Sequence, residues 1–229
     1  MPIFHISEEQ PIFPHPSLAD DQGLIGIGGN LNPSTLVNAY SAGIFPWFNE
    51  HDPILWWSPD PRFVLFPEDL KISKSMRPYF NQEKFRLTLD THFQEVMTAC
   101  SRIHRKGQGG TWITDEMLTA YIELHERGIA HSVEVWEGER LAGGLYGLSL
   151  GKMFFGESMF TLRPNASKFG FISLVKLLIA RDFKLIDCQQ ETEHLKRFGA
   201  IKLKRNVFLE LLLENQQHET LQGKWTSWI

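Results

Sequence analysis

The spacing of apolar residues along this chain shifts near residue 130, from helical to alternating. Ahead of that point, Asn32-Pro33 marks a helix start, with Asn as cap and Pro at the first helical position. Leu36, Ala39 and Tyr40 then share one face, and Gly43 supplies a left-handed stop. A second helix opens on Thr114, with Asp115 and Glu116 in its first turn, and ends at Gly128. Leu118, Tyr121, Ile122 and His125 follow its period, which makes His125 a packing or helix-surface histidine rather than a ligand. From His131 to Trp136 the pattern alternates, Glu137-Gly138-Glu139-Arg140 turns, and Leu141 to Leu150 returns as a glycine-interrupted strand. Gly151 to Phe160 is a strand of bulky apolar residues that ends on a carboxylate, Glu157. A helix from Asn165 to Asp182 then buries Phe169, Ile172, Leu174, Val175, Leu178 and Ile179. A strand over Lys184–Gln189, a helix from Glu191 to Phe198, a strand at Ile201–Leu203 and a helical tail from Val207 to Asn215 complete the chain. A meander, a long helix and a strand able to return beside it give an α/β (α+β) fold.

The first 62 residues follow no such rule. They are rich in Pro and Gly, and Phe13-Pro14-His15-Pro16 is a turn or extended segment. Gly26-Ile27-Gly28-Gly29 invites a dinucleotide reading, but the last glycine of that fingerprint falls on Leu31, so a tight turn is expected instead. Between Ile44 and Arg62, three tryptophans and four prolines preclude regular helix. They form stiff aromatic walls that serve either as a staple between domains or as a ligand platform. The length allows either one large domain or a small one over residues 1–62 beside a larger one over 63–229.

Composition alters this picture little: at 229 residues with 42% hydrophobic and 22% charged positions, it is that of an ordinary globular protein. Cys100 and Cys188 are too few for a disulfide framework and fit a reduced compartment. The start lacks the build of a signal peptide, and Lys176, Arg181 and Asp182 interrupt the longest apolar run. A cytoplasmic protein away from the membrane is expected. The net charge is −4, yet Lys71 to Lys106 carries eight basic residues against three acidic ones. Lys71, Lys74 and Arg77 share a face if Ile72–Tyr79 is helical, which is either a solvated surface or a site for a polyanion.

Glu157 is the candidate for chemistry. A carboxylate among core residues needs a positive partner, a hydrogen-bond network or a pocket mouth, unless it simply looks into water. Absent motifs narrow the reaction. No His-Glu-x-x-His, Cys-x-x-Cys or calcium loop occurs, so no protein-built metal site is expected, and there is no P-loop or Gly-x-Ser-x-Gly elbow. Cys188, in an apolar strand, reads as packing rather than nucleophile. The polar residues left at strand ends are Glu157, Ser158, Asp187 and Gln189.

Several blocks then occur in a telling order: Gly23 to Gly43, Ile44-Phe45-Pro46-Trp47-Phe48, Trp56-Trp57-Ser58-Pro59-Asp60-Pro61-Arg62 and Gly110-Thr111-Trp112-Ile113-Thr114. Gly156-Glu157-Ser158-Met159-Phe160, Asn165-Ala166-Ser167-Lys168 and Leu185-Ile186-Asp187-Cys188-Gln189 follow. Together, over roughly residues 11 to 206, the chain resembles the leucyl/phenylalanyl-tRNA–protein transferase family. The resemblance implies a C-terminal domain with an acetyltransferase-like (GNAT-like) fold over 63–229. It also implies transfer of Leu or Phe, with Met as a third donor, from aminoacyl-tRNA to a protein N-terminus bearing Arg or Lys, marking that protein for N-degron proteolysis. The ester is already activated, so no cofactor, ATP or metal is needed, and a monomer is expected. The attacking α-amine, with pKa near ~7.7–8.0, is already about a tenth deprotonated at neutral pH.

The resemblance associates Glu157, Asp187 and Gln189 with the transfer step. Gln189 is a weak proton acceptor, so Asp187 is expected to orient it, its carbonyl to hold the amine, and Glu157 to attract ammonium groups. Leu145, Met159, Phe171, Leu174 and Leu178 match the donor side-chain pocket, Trp47 and Trp112 the aromatics for the terminal adenosine, and Lys74 and Arg77 part of a basic cluster for the acceptor stem. Pro78 and Thr192 depart from the family pattern, where a basic residue and Asn are expected. Two rivals remain at this level. An acyl-CoA N-acetyltransferase needs a glycine-rich pyrophosphate loop that Leu162 to Gly170 lacks, and a non-catalytic RNA- or peptide-binding module needs only the basic region and the aromatics.

Overall fold

The computed structural model describes residues 3–103 and 113–229. The chain begins with a four-stranded sheet built from β1 (Phe4–Ile6), β2 (Leu24–Gly28), β3 (Phe45–Pro46) and β4 (Leu55–Trp57), in the order β1-β2-β4-β3, with α1 (Pro33–Ser41) between β2 and β3. Gly26–Gly29 is thus not the tight turn expected. Gly26 sits inside β2, where a Cβ would come within 2.9 Å of the Ile6 side chain, and only Gly28 and Gly29 turn, at φ +92° and +79°. Close strand approach, not a loop, is what selects that glycine. The start and stop of α1 are as expected: Gly43 is left-handed at φ +77°, and Leu36, Ala39 and Tyr40 are fully buried.

Seven further strands make the second sheet: β5 (Arg62–Leu65), β6 (Arg86–Leu89), β7 (Ala130–Glu137), β8 (Arg140–Leu150), β9 (Met153–Thr161), β10 (Leu185–Gln189) and β11 (Ile201–Leu203), ordered β11-β5-β10-β9-β8-β7-β6. The helices between them are α2 (Arg77–Asn81), α3 (Phe93–Ser101), α4 (Asp115–Glu126), α5 (Ala166–Ile179), α6 (Glu193–Lys196) and α7 (Arg205–Asn215). β7, β8 and β9 form the antiparallel meander, and α5 carries the chain over to β10, parallel to β9. The α/β class is as read from the sequence. Apolar residues fill both sides of this sheet. Phe171, Ile172, Leu174, Val175 and Leu178 of α5 meet Val133, Val135 and Leu145 on one side, while Met97, Tyr121 and Leu124 meet Tyr146, Leu148 and Phe155 on the other. Each such buried side chain contributes roughly 1.5–3 kcal/mol. The second cluster also takes in Ile25, Tyr40 and Trp56, so the small sheet closes over the same core as α3 and α4. Among the described residues, no helix is long and apolar enough to cross a membrane.

Several expected boundaries move. The helix predicted over Ile72–Tyr79 is a 3₁₀ turn, Lys74–Met76, followed by α2, so Lys71, Lys74 and Arg77 do not share one helical face. Pro78, lacking an N–H, is accommodated only in a first turn, which forces the fresh start. The helix over Glu191–Phe198 shrinks to α6, capped by Thr192 Oγ1 on the Leu195 N–H. The helix expected over Asn165–Asp182 is α5 alone: Asn165 is its left-handed cap, and Ile179 is 42% exposed rather than buried. The tail helix starts at Arg205. In β7, the expected alternation of apolar and polar positions does not produce a wet face, because His131, Ser132 and Glu134 are all buried. Most of their polar atoms find partners instead: Ser132 Oγ and the hydroxyls of Thr88 and Thr91 bond Glu134, and Asp90 bonds His131 Nδ1, while His131 Nε2 has no hydrogen-bond partner among the described residues.

Candidate active site

Two irregularities in neighbouring strands build the site. β9 does not end at Glu157 but runs on to Thr161. Opposite it, Tyr146 pairs with Ser158 and Gly147 with Gly156, so Glu157 is the extra residue of a β-bulge. In β10, Asp187 pairs with Val64 and Gln189 with Phe63 of β5, which leaves Cys188 as the extra residue of a second bulge. Gln189 is held at φ +60°, the left-handed region that non-glycine residues seldom adopt. Pairing between β9 and β10 extends from Leu185–Met153 to Asp187–Phe155. Beyond that point a cavity of about 340 Å³ lies between the two strands. Bulges re-aim side chains beside clefts, and here they turn Glu157 and Gln189 toward each other.

The Gln189 amide nitrogen donates to Glu157 Oε1 at 2.7 Å. Tyr40, from α1, donates to the same oxygen at 2.7 Å, and Tyr121, from α4, lies 3.4 Å from Oε2. The two phenolic oxygens are 2.5 Å apart. Burial raises the Glu157 carboxyl to about 7; the donor Tyr40 pulls it down, Asp187 adds to the rise, and Gln189 and Tyr121 oppose it. Burial, and then the Glu157 charge, raise both tyrosines well above their usual value, so they remain protonated donors. Of the requirements set by the sequence, Glu157 meets two, a hydrogen-bond network and a pocket mouth. No positive partner is supplied: among the described residues it forms no ion pair.

Asp187 takes the positive partner instead. Arg62, the first residue of β5, donates from Nε to Oδ1 at 2.9 Å and from Nη2 to Oδ2 at 2.6 Å, both side chains being almost fully buried. The guanidinium also donates to the Gly43 carbonyl at 3.2 Å and lies 4.8 Å and 4.7 Å from the ring centres of Phe45 and Phe208. The expected contact between Asp187 and Gln189 is present, but it is made to the backbone rather than to the side chain. Asp187 Oδ1 accepts the Gln189 backbone N–H at 2.9 Å, which fixes the left-handed turn while the amide side chain is oriented by Glu157. Burial, with Asp187 beside it, pushes the Cys188 thiol far above its usual range, consistent with a packing role.

The remaining sequence candidates separate. Trp47, Leu145, Met159 and Phe171 line the cavity. Leu174 and Leu178 are fully buried in the α5 core beneath it. Trp112 lies outside the described residues. Lys74 and Arg77 are exposed on the 3₁₀ turn and α2, away from the cavity walls. Thr192 lines the cavity while capping α6. Reasoning from the sequence missed Arg62, Tyr40 and Tyr121 as site residues. The signals were present: an arginine opening the apolar run Phe63-Val64-Leu65, and two tyrosines on apolar helix faces whose hydroxyls need partners once buried.

The family profile described as leucyl/phenylalanyl-tRNA protein transferase matches residues 64–213, and the profile of that family's N-terminal domain matches residues 29–60. The chain is 52% identical over 227 residues to the leucyl/phenylalanyl-tRNA–protein transferase of Myxococcus xanthus, covering 99% of this chain and 97% of that one. It is 55% identical over 206 residues to the protein of the same name from Christiangramia forsetii, covering 89% and 97%. Solved structures resemble it only faintly. A conserved protein of unknown function from Bacteroides thetaiotaomicron reaches a TM-score of 0.46 at 12% identity, covering 72% of this chain and 57% of that one. A GCN5-related N-acetyltransferase from Kribbella flavida reaches 0.36 at 10%, covering 74% and 59%. Likenesses at that level decide nothing about the site.

Proposed function

The chain belongs to the leucyl/phenylalanyl-tRNA–protein transferase family, an enzyme family that moves an aminoacyl group from tRNA to proteins, and from this premise we propose a division of labour within its site. The donor is Leu-tRNA or Phe-tRNA, with Met as a third possibility, and the acceptor is a protein beginning with Arg or Lys, in the cytoplasmic N-degron pathway. Residues 1–62 form the small N-terminal domain and 63–229 an acetyltransferase-like catalytic domain. That reading is supported by the meander, the crossover by α5 and the parting of β9 from β10 at the cavity.

The observation that carries the proposal is the meeting of Glu157 and Gln189 at one wall of a cavity whose other walls include Phe45, Trp47, Leu145, Met159 and Phe171. An amide whose nitrogen is engaged by Glu157 has its carbonyl oxygen to offer an incoming amine. Glu157 accepts the proton. Its carboxyl near 7 lies within about one unit of an α-ammonium, so the transfer costs only about 1 kcal/mol. Asp187 is held by Arg62 and acts through the Gln189 backbone. Leu145, Met159 and Phe171 are the donor side-chain walls of the cavity of about 340 Å³. Trp47, with Trp112, stacks on the terminal adenosine, a contact worth about 1–3 kcal/mol per base. Lys74 and Arg77 meet acceptor-stem phosphates, binding that is largely sequence-independent.

The test is transfer of labelled Leu from charged tRNA to an Arg-starting peptide. Gln189→Ala should slow the transfer at least tenfold while leaving aminoacyl-tRNA affinity nearly intact; an unchanged rate would remove Gln189 from the step.

A further inference from the structure

Tyr40, Tyr121 and Glu157 come from three separated elements and bury their polar ends against one another. The number of protons among them is informative. Three oxygen–oxygen contacts link the group: Tyr40 to Oε1 at 2.7 Å, Tyr40 to Tyr121 at 2.5 Å, and Tyr121 to Oε2 at 3.4 Å. Two phenols supply two protons, so with an ionised carboxylate one contact has none. The longest contact, Tyr121 to Oε2, is the one left short. A proton placed on Oε2 completes the set: Glu157 donates to Tyr121, Tyr121 to Tyr40, and Tyr40 back to Oε1.

We propose that Tyr40 and Tyr121 are positioning residues that make Glu157 a reversible store for the proton leaving the acceptor amine, by closing this three-proton ring. The proposal rests on Glu157 being the proton acceptor. The step balances as follows. The acceptor's ammonium gives one proton to Glu157 Oε2, and its nitrogen forms the C–N bond to the ester carbonyl carbon. The second amine proton goes to the ribose oxygen as the C–O bond breaks, and Glu157 returns its own proton to water after the product leaves. Nothing is oxidised or reduced.

Every charged or titratable group facing Glu157 belongs in this account. Tyr40 comes from α1, Tyr121 from α4 and Tyr146 from β8; Asp187 and Cys188 come from β10, Asp187 being paired with Arg62 of β5, and His194 of α6 lines the same cavity. Gln189 donates to Oε1 in either protonation state and stands outside the ring. The arrangement also makes α1 of the small N-terminal sheet part of the catalytic apparatus, since Tyr40 is fully buried and bonds Glu157 and Tyr121.

The experiment uses the full chain with charged tRNA and an Arg-starting peptide, comparing Tyr40→Phe, Tyr121→Phe and the double variant across pH 6–9. Each single variant should lower the plateau transfer rate at least tenfold with KM for aminoacyl-tRNA unchanged. The double should fall no more than about threefold further, since groups that act as a unit are not additive. In Tyr40→Phe, the acid limb should move upward by about one to two pH units, because the carboxylate loses a charge-assisted donor. Multiplicative losses with an unmoved limb, or wild-type rates in either single variant, overturn the ring. Glu157→Gln, measured alongside, separates the two ideas: transfer at the wild-type rate there overturns Glu157 as acceptor, whatever the tyrosines do.

Discussion

At the scale of single residues, the site is a contrast between two buried carboxylates, one paired with a cation and one held only by neutral donors. Asp187 has a guanidinium; Glu157 has only neutral donors, and burial pushes its carboxyl up to about 7. A carboxyl raised above its unfolded value binds a proton in the folded protein that the unfolded chain has already lost, so it lowers stability as pH rises from about 4.5 to about 7. Glu157→Gln should therefore gain stability relative to the parent across that window, by an amount of order 3 kcal/mol at most. Urea unfolding at pH 4.5 and pH 8 reads this directly, and a pH-independent difference would argue against a raised carboxyl. The same variant should lose transfer activity, as a stability gain at a catalytic carboxylate commonly implies. In the parent, the transfer rate should climb as pH rises through about 7, where the carboxylate forms. Glu157 was legible in the sequence as an anomaly, since a carboxylate inside Phe154-Phe155-Gly156 demands a reason. Its neutral partners were not, because Tyr40 and Tyr121 look like ordinary apolar-face residues at helical spacing.

Between residue and molecule stand the elements, and here Arg62 does more than open β5. It joins the C-terminal carbonyl end of α1 at Gly43, the ring of Phe45 in β3, Asp187 in β10 and Phe208 in α7. Removing one partner of a buried, hydrogen-bonded pair leaves an uncompensated charge. Arg62→Met should thus cost about 3–5 kcal/mol, seen as a lower urea midpoint. Arg62→Met with Asp187→Leu should recover part of that loss, because the stranded carboxylate is gone, while transfer remains impaired for want of the Gln189 backbone anchor. Strictly additive losses would show that the two are not coupled. Helix limits were legible wherever a cap or breaker is local in sequence, as at Asn32-Pro33, Gly43 and Thr114. α3 was missed although Phe93, Val96, Met97 and Cys100 follow a helical period. The bulges at Glu157 and Cys188 could not be read, because a bulge is a mismatch between two strands and neither strand contains it alone.

At the scale of the whole molecule, the proposed function assigns the cavity and the basic residues to the two ends of a large donor. Lys74→Ala with Arg77→Ala should raise KM for aminoacyl-tRNA and flatten its salt dependence by about 1.4–1.8 in log–log slope, if each meets one phosphate. Transfer from a small aminoacyl-adenosine donor should be unaffected, and an equal loss with both donors would place these residues elsewhere in the mechanism. Enlarging the cavity with Met159→Ala should shift the preference between Leu and Phe by no more than about 1–3 kcal/mol, read as the ratio of kcat/KM values. What the sequence by itself determined is the α/β class, the order of the elements from the helix at Thr114 onward and, through its ordered blocks, the family. Each of these is carried by local periodicity, capping and residue identity. What only the tertiary structure decided is the pairing: which carboxylate receives Arg62, which side chains of α5 reach the cavity rather than the core, and how α1 reaches Glu157. Those depend on strand register and on contacts between residues as far apart as Tyr40 and Glu157, and no local pattern records a contact made across so much chain.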